Sequence, residues 1–507
     1  MNDRMTHPFG EVSCEREVRL YRDEYQEYYF NEAPFNDASL DIERYLVVGR
    51  RGTGKSSLSQ YFYFQNRLQN AECISIGSPD TYSIVLEKIA SLAASTSELA
   101  IPMIAKIWRF LIWSVIFDYL KHDHRRIKSA SLFNAQNKAP GHILKETIQH
   151  LLSKYTGSQY LINTLDDYLS EVFNKEAELE VIKIARKRPI IISFDSLERY
   201  DVNNDPMMWA IAALVQCASD FNDDYSHRGI HVKIFITGEI FPYLRNQVIL
   251  NLSKYVREPV YLHWRPKDLV KLVCWRFNLY LQKYFQPYSC TDSLDWSSFP
   301  EILENMWTPY FSHTLKNSCG IEEKSFPYVL RHTQMRPRQL IIICNRIAQI
   351  AHTENSFPRF SESAIRAGIK KTERDLAEEV FNSYSKSYQN LSKIIGALEG
   401  IPLMFKGKHL DKLAPTTASS WPKGEYSRAR FHQLVTELGI VGRVRSYDDR
   451  TKIVEADYEY AMEDTLHILP NEEYVIHPMF FNKLAITEQN HRIVLPFPDH
   501  PHFRELV

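Results

Sequence analysis

YLVVGRRGTGKSS, residues 45–57, decides how this chain is read: an apolar strand runs into Gly49, a turn carries further glycines at Gly52 and Gly54, and the helix-like SSLSQYFYFQNRL begins at Ser56. Gly49, Arg50, Arg51, Gly52, Thr53, Gly54, Lys55 and Ser56 satisfy GxxxxGK[ST] in full, in the strand-then-helix context that gives the pattern its meaning. Glycines permit a turn whose successive backbone N–H groups point inward, and the helix that follows aims the positive end of its dipole at the same place. Such a turn binds phosphates. Lys55 is expected to reach the β- and γ-phosphates, the amides through Ser57 to complete the cradle, and the Ser56 hydroxyl to hold Mg²⁺. ATP and Mg²⁺ are therefore the expected cofactors.

Working outward, four more short apolar runs, ECISI (72–76), RPIIISFD (188–195), HVKIFIT (231–237) and PVYLHW (259–264), alternate with helical patterns. That alternation predicts a parallel α/β sheet. Residues 80–186 are too long for a simple crossover and read as a helical insertion. The third strand ends in Asp195, followed by Ser196, Leu197 and Glu198. A buried strand that delivers a carboxylate to the Mg²⁺ side of the phosphates plays the part of a Walker-B acid. Glu198 is the candidate for polarising the attacking water, with a plain surface acid as its alternative. Thr237, at the end of the fourth strand, either senses the γ-phosphate or water through its hydroxyl or simply ends the strand.

After the fifth strand, WRPKDLVKLVCWRFNLYLQKYF (264–285) enters on a proline and continues at helical spacing, and further helices follow to about residue 385. The fold expected is an α/β P-loop NTPase parallel sheet with a long helical insertion, an α-helical lid and a C-terminal winged-helix-like domain. Its boundaries are 1–265 for the core, 266–385 for the lid and 386–507 for the last domain. In the lid, Arg336-Pro337-Arg338-Gln339-Leu340 opens a helix. Arg338, ahead of Arg336, is the guanidinium expected to approach the γ-phosphate and couple nucleotide state to lid angle, a surface ion pair being the alternative.

In the last domain, Phe431, Leu434, Val435 and Leu438 follow helical spacing and Gly439 is placed to end the helix. Arg428 and Arg430 lie near its start, and Arg443, Arg445, Arg450 and Lys452 fall on a hairpin with a polar tip. Residues 401–450 carry nine Lys/Arg against five Asp/Glu, whereas 451–507 carry four against ten. The basic half suits phosphate contacts on DNA through Arg428, Arg430, Arg443 and Arg445; the acidic remainder weakens that picture, and a protein-contact or autoinhibitory winged helix is the alternative.

GRRGTGKSS, FDSLE, the strand end at Thr237 and RPRQL before a helix, in that order and with a winged-helix-like tail, resemble the AAA+/STAND branch of ASCE-class P-loop ATPases, especially the prokaryotic origin-recognition-like group. The resemblance covers about residues 8–480. It implies an ASCE-type sheet, ATP with Mg²⁺, hydrolysis to ADP and phosphate, nucleotide-driven homo-oligomerisation or a protein effector partner, and roles from DNA loading to anti-phage sensing. Two departures matter. AAA+ enzymes place the catalytic Glu directly after the Walker-B Asp, whereas here Glu198 follows Asp195 by three residues, as in the STAND form, which implies slow or conditional turnover. No motif singles out an arginine finger among Arg199, Arg245 and Arg257.

Composition sets the remaining limits. With 507 residues, 44% hydrophobic and 24% charged, the chain has enough apolar content for about three folded domains. A formal net charge of −1 supplies no global attraction to nucleic acid or an anionic membrane. Seven cysteines without CxxC pairs suggest neither a zinc site nor a disulfide framework. The N-terminus lacks an apolar signal core, so the cytoplasm is the expected compartment. IPMIAKIWRFLIWSVIFDYL (101–120) has spanning length, but Lys106 and Arg109 share one helical face while Trp108, Ile112, Val115 and Tyr119 line another, which predicts a buried or partner-facing helix and no membrane span. No nuclease, protease or deaminase constellation stands out.

Overall fold

A computed structural model describes residues 7–41, 43–64, 71–76, 97–131, 140–154, 172–197, 204–245, 255–256, 258–285, 294–317, 319–461, 465–486 and 492–497. The chain divides into two compact units, Phe35–Leu262 and a second made of residues 1–34 with His263–Val507.

The unit Phe35–Leu262 is built on a parallel five-stranded sheet: β1 (Leu46–Gly49), β2 (Glu72–Ile76), β3 (Ile190–Leu197), β4 (Ile230–Thr237) and β5 (Val260–Tyr261), in the spatial order β2-β3-β4-β1-β5. All five expected strands are present. Every residue of β1 and β4 is buried, which is why their sequences are near-continuous apolar runs instead of alternating ones: a parallel sheet has helices on both faces. The edges show the opposite, with Tyr261 of β5 exposed.

Helix α1 (Lys55–Phe64) leaves the end of β1, and α2 (Ser97–Tyr119), α3 (Arg125–Ala130), α4 (Pro140–Lys154) and α5 (Val172–Ala185) occupy the long stretch between β2 and β3. Helix α6 (Asp205–Tyr225) joins β3 to β4, its start fixed by Asn204, whose side chain accepts the Met207 N–H, and by Pro206 in the first turn. The membrane-length helix is α2. Trp108, Leu111, Ile112 and Val115 are fully buried, the Trp108 Nε1–H donates to the Ala210 carbonyl of α6 at 2.9 Å, and Trp113 packs edge-on to Tyr225 at 5.1 Å between centroids. Arg109 reaches the rim of the same contact, paired with Asp224 at 2.7 Å and stacked over the Tyr225 ring. Among the described residues this is the one helix long and apolar enough to cross a membrane, and 78% of its apolar window is buried in protein. Tyr119 departs from its expected place on the apolar face: it is 41% exposed and its hydroxyl donates to Glu72.

The other unit is mainly helical, with α7 (Pro266–Tyr284), α8 (Pro337–Thr353), α9 (Glu362–Tyr384) and α10 (Arg428–Glu437). A small antiparallel hairpin pairs β6 (Thr314–Lys316) with β7 (Glu322–Lys324). A second five-stranded sheet orders β8 (Met404–Lys406), β9 (Val441–Asp448), β10 (Ile453–Asp457), β11 (Glu473–Ile476) and β12 (Ile493–Leu495) as β12-β10-β9-β11-β8. The N-terminal segment is woven into this unit. Phe9 stacks on Phe277 of α7 at 4.8 Å, Glu17 and Arg276 form a buried pair at 2.9 Å, and the Asn345 side chain of α8 accepts the Phe9 N–H and donates to the Gly10 carbonyl.

Candidate functional site

The carboxyl ends of neighbouring parallel strands are where an open α/β sheet presents its ligand crevice. Here β1 ends at Gly49 directly opposite Thr237 at the end of β4, and the Gly238 N–H donates to the Gly49 carbonyl at 3.0 Å. The loop from Gly49 to Ser56 then turns sharply: Gly52 and Gly54 take φ of 82° and 99°, left-handed values that a Cβ disfavours. The turn is closed by two bonds to the Arg50 carbonyl, from the Thr53 N–H at 3.2 Å and the Thr53 hydroxyl at 2.8 Å. Close approach matters as well, since a Cβ on Gly49 would meet Thr53 Oγ1 at 2.5 Å and one on Gly238 would meet the Arg50 amide nitrogen at 3.2 Å.

Lys55 opens α1 and is buried, 4% exposed. Its ammonium bends back over the loop and donates to the carbonyls of Gly49 at 2.8 Å and Arg50 at 3.3 Å. Ser56 and Ser57 sit half-buried on the first turn of α1. The helix is registered on the sheet through Ser59, whose hydroxyl lies 3.1 Å from that of Ser193 on β3 and 3.5 Å from that of Ser75 on β2.

Asp195 is buried near the end of β3, the strand beside β4. Thr237 is 2% exposed and its Oγ1 has no hydrogen-bond partner among the described residues, although an unsatisfied buried hydroxyl costs roughly 1–3 kcal/mol. The hydroxyl is thereby left available to a ligand or a water. The residues fit Mg-ATP on these grounds: glycine-permitted amides with a buried lysine for the phosphates, an orphaned hydroxyl, and hard oxygen donors in Ser56 and Asp195 for Mg²⁺, which takes one or two protein oxygens beside substrate phosphates. Among the described residues no three His, Cys, Asp or Glu converge as metal ligands.

Glu198 lies outside the described residues, as do Arg199 and Arg257; Arg245 is described and exposed. One site residue escaped the sequence reading. Glu239, two residues beyond Thr237, is buried and its Oε1 accepts the Arg51 N–H of the loop at 3.1 Å. The one available signal was an acid immediately after a strand-ending Thr-Gly.

The remaining candidates belong to the other compact unit. Arg338 stands in the first turn of α8, paired with Glu379 of α9 at 3.3 Å, and Arg336 is buried at the helix entry. Each arginine proposed for DNA faces a carboxylate: Arg428 with Asp411 at 3.6 Å, Arg430 with Glu425 at 3.0 Å, Arg443 with Glu472 at 3.8 Å and Arg445 with Asp457 at 2.9 Å.

Comparison with known proteins places two similarities on this chain. Residues 299–380, which include the β6/β7 hairpin, α8 and most of α9, match the FunZ-associated C-terminal helical domain. Over 498 residues the chain is 22% identical to the "Putative transposon gamma-delta 80.3 kDa protein" of Escherichia coli (strain K12), an alignment that takes in 94% of this chain and 66% of that relative. The chain thus spans slightly less than two thirds of the relative's length. Neither similarity is described as a P-loop ATPase. No solved structure matches the chain.

Proposed function

We propose that this protein is a P-loop ATPase that binds Mg-ATP at Gly49–Ser57 and uses its nucleotide state as a switch in a multiprotein system. The observation that carries the reading is the loop itself, with Lys55 folded over the Gly49 and Arg50 carbonyls between two left-handed glycines and the start of a helix. The position of β4 between the loop's strand and the strand of Asp195 is in keeping with the ASCE-type sheet that the resemblance implies.

The chain's own residues then divide the work. Loop amides and Lys55 hold the phosphates, with Lys55 exchanging backbone carbonyls for phosphate oxygens. Ser56 and Asp195 hold Mg²⁺, which neutralises charge on the β- and γ-oxygens when bound. Thr237 donates its hydroxyl to the terminal phosphate or the attacking water. Glu198 orients that water. Hydrolysis yields ADP and phosphate, at a rate set by homo-oligomerisation or an effector partner. Prokaryotic anti-phage defence is one such setting, and the cytoplasm is the compartment that goes with it.

A second reading, a DNA-binding ATPase that loads or remodels nucleic acid, is favoured by the transposon named in the relative's description. The helix α10 followed by the β9/β10 hairpin is in keeping with a winged helix, and the looser pairs of Arg428, Arg430 and Arg443 leave those arginines able to exchange carboxylates for phosphates. Mg-ATP titration of wild type and Lys55→Ala tests the first reading. Turnover with and without duplex DNA across a salt series tests the second, which requires stimulation that falls steeply with salt.

A further inference from the structure

We infer that Glu239 is an anionic latch on the phosphate loop that sets the loop's preference between a nucleoside triphosphate and a diphosphate. The inference rests on the phosphate-loop reading above and adds a regulatory residue to it. The Glu239 carboxylate does not merely lie near the loop; its Oε1 accepts the Arg51 N–H at 3.1 Å, occupying one of the amides of the turn. It is held there from behind. Gly238, the residue before it, donates its N–H to the Gly49 carbonyl at 3.0 Å and packs against Arg50 so closely that a Cβ would meet Arg50 Cγ at 3.0 Å. Glu239 itself is only 8% exposed, so its charge is poorly screened by solvent.

The geometry also says which end of a nucleotide this charge opposes. Lys55 Nζ lies on the carbonyls of Gly49 and Arg50, at 2.8 and 3.3 Å, so the ammonium that seeks the β- and γ-phosphates sits at the residue just before Arg51. A terminal phosphate that draws Lys55 off those carbonyls comes to the loop beside Arg50 and Arg51, where the Glu239 carboxylate already holds the Arg51 N–H. Two anions in one buried site repel, and one must move, take a proton or share a cation. A diphosphate stops one phosphate short of the conflict. Thr237, two residues earlier and with its buried hydroxyl unpartnered among the described residues, supplies a neutral donor to the same strand end.

Glu239→Gln keeps the hydrogen-bond acceptor on Arg51 and removes the charge; Glu239→Ala removes both. Fluorescent ATP and ADP analogues are titrated against wild type, both variants and Lys55→Ala, in Mg²⁺. The readout is the ratio of ATP to ADP affinity, which partial misfolding leaves unchanged because it scales both nucleotides alike. The ratio rises at least about fivefold in Glu239→Gln and in Glu239→Ala. A ratio in both variants within about twofold of wild type, or lower than wild type, overturns the latch while Lys55-dependent binding still stands. If wild type binds neither nucleotide, or Lys55→Ala binds as wild type does, the phosphate-loop reading falls and the latch falls with it.

Discussion

Lys55 Nζ donates to the carbonyl oxygen of Gly49 at 2.8 Å, and that same oxygen also accepts the Gly238 N–H at 3.0 Å. The carbonyl is therefore doubly satisfied, and removal of the lysine leaves both the Gly49 and the Arg50 carbonyl with a donor, from Gly238 and Thr53. Lys55→Ala is expected to change folding stability by less than about 1 kcal/mol, in contrast to the roughly 3 kcal/mol that stranding a buried group can cost. Urea denaturation of the two proteins checks this, and a loss above about 2 kcal/mol would assign Lys55 a structural role instead.

Lys233 of β4 shows the other case. Its ammonium donates to the carbonyls of Ser39 at 3.0 Å, Asp41 at 2.6 Å and Arg44 at 2.8 Å, fastening the chain before β1 to the sheet. Lys233→Met takes the lysine's bond from the Ser39 and Arg44 carbonyls, while the Asp41 carbonyl keeps the Arg44 N–H at 3.3 Å, and a loss of about 2–4 kcal/mol is expected.

Burial pushes the Lys233 pKa down to about 7, against the pull of Asp41. Between pH 7 and the unfolded value near ~10.4 the unfolded chain binds more protons at this position, so its contribution to stability increases as pH rises through that window. Thiols and other groups titrate there too. The wild-type stability minus that of Lys233→Met isolates the lysine, and this difference should grow from pH 7 to pH ~9.5; a flat or shrinking difference contradicts the assignment.

Trp108 and Tyr119 lie on one helix with opposite fates. Trp108 is fully buried and bonded to the Ala210 carbonyl, while Tyr119 is exposed and donates to Glu72. Trp108→Ala should cost about 3–5 kcal/mol and Tyr119→Ala less than about 1 kcal/mol by chemical denaturation. Equal effects would mean that α2 is not the core helix of its unit.

The N-terminal segment makes a comparable prediction. Burial pushes the Glu17 carboxyl up and the adjacent Arg276 guanidinium pulls it down. Arg276→Ala leaves the carboxyl buried without its partner, a change of about 3–5 kcal/mol, whereas Arg276→Ala combined with Glu17→Met should recover much of that loss. A double-mutant cycle followed by denaturation measures it, and strict additivity would refute the pairing.

Much of this was legible in the sequence because the signals were local. The central strands β1 and β4 are apolar runs buried along their whole length, and Gly52 and Gly54 fall where left-handed φ values occur. What stayed hidden depends on contacts distant in the chain. Nothing in HVKIFIT shows that Lys233 is met by the carbonyls of Ser39, Asp41 and Arg44. Glu239 reads as a surface acid until its contact with Arg51 is seen. The wing arginines read as free charge, but Arg445 finds Asp457 on the paired strand β10 and Arg443 finds Glu472 beside β11. Phe9 and Glu17 gave no hint that their partners lie on α7, more than two hundred residues away.

Equilibrium titration of Mg-ATP into the purified protein, with Lys55→Ala and Asp195→Asn alongside and turnover followed in the same samples, tests the central claim most directly. Saturable binding that weakens at least about 100-fold in Lys55→Ala, with Mg²⁺ dependence lost in Asp195→Asn, is the predicted result. Absence of saturable binding to the folded wild type, or binding indifferent to both substitutions, would contradict it.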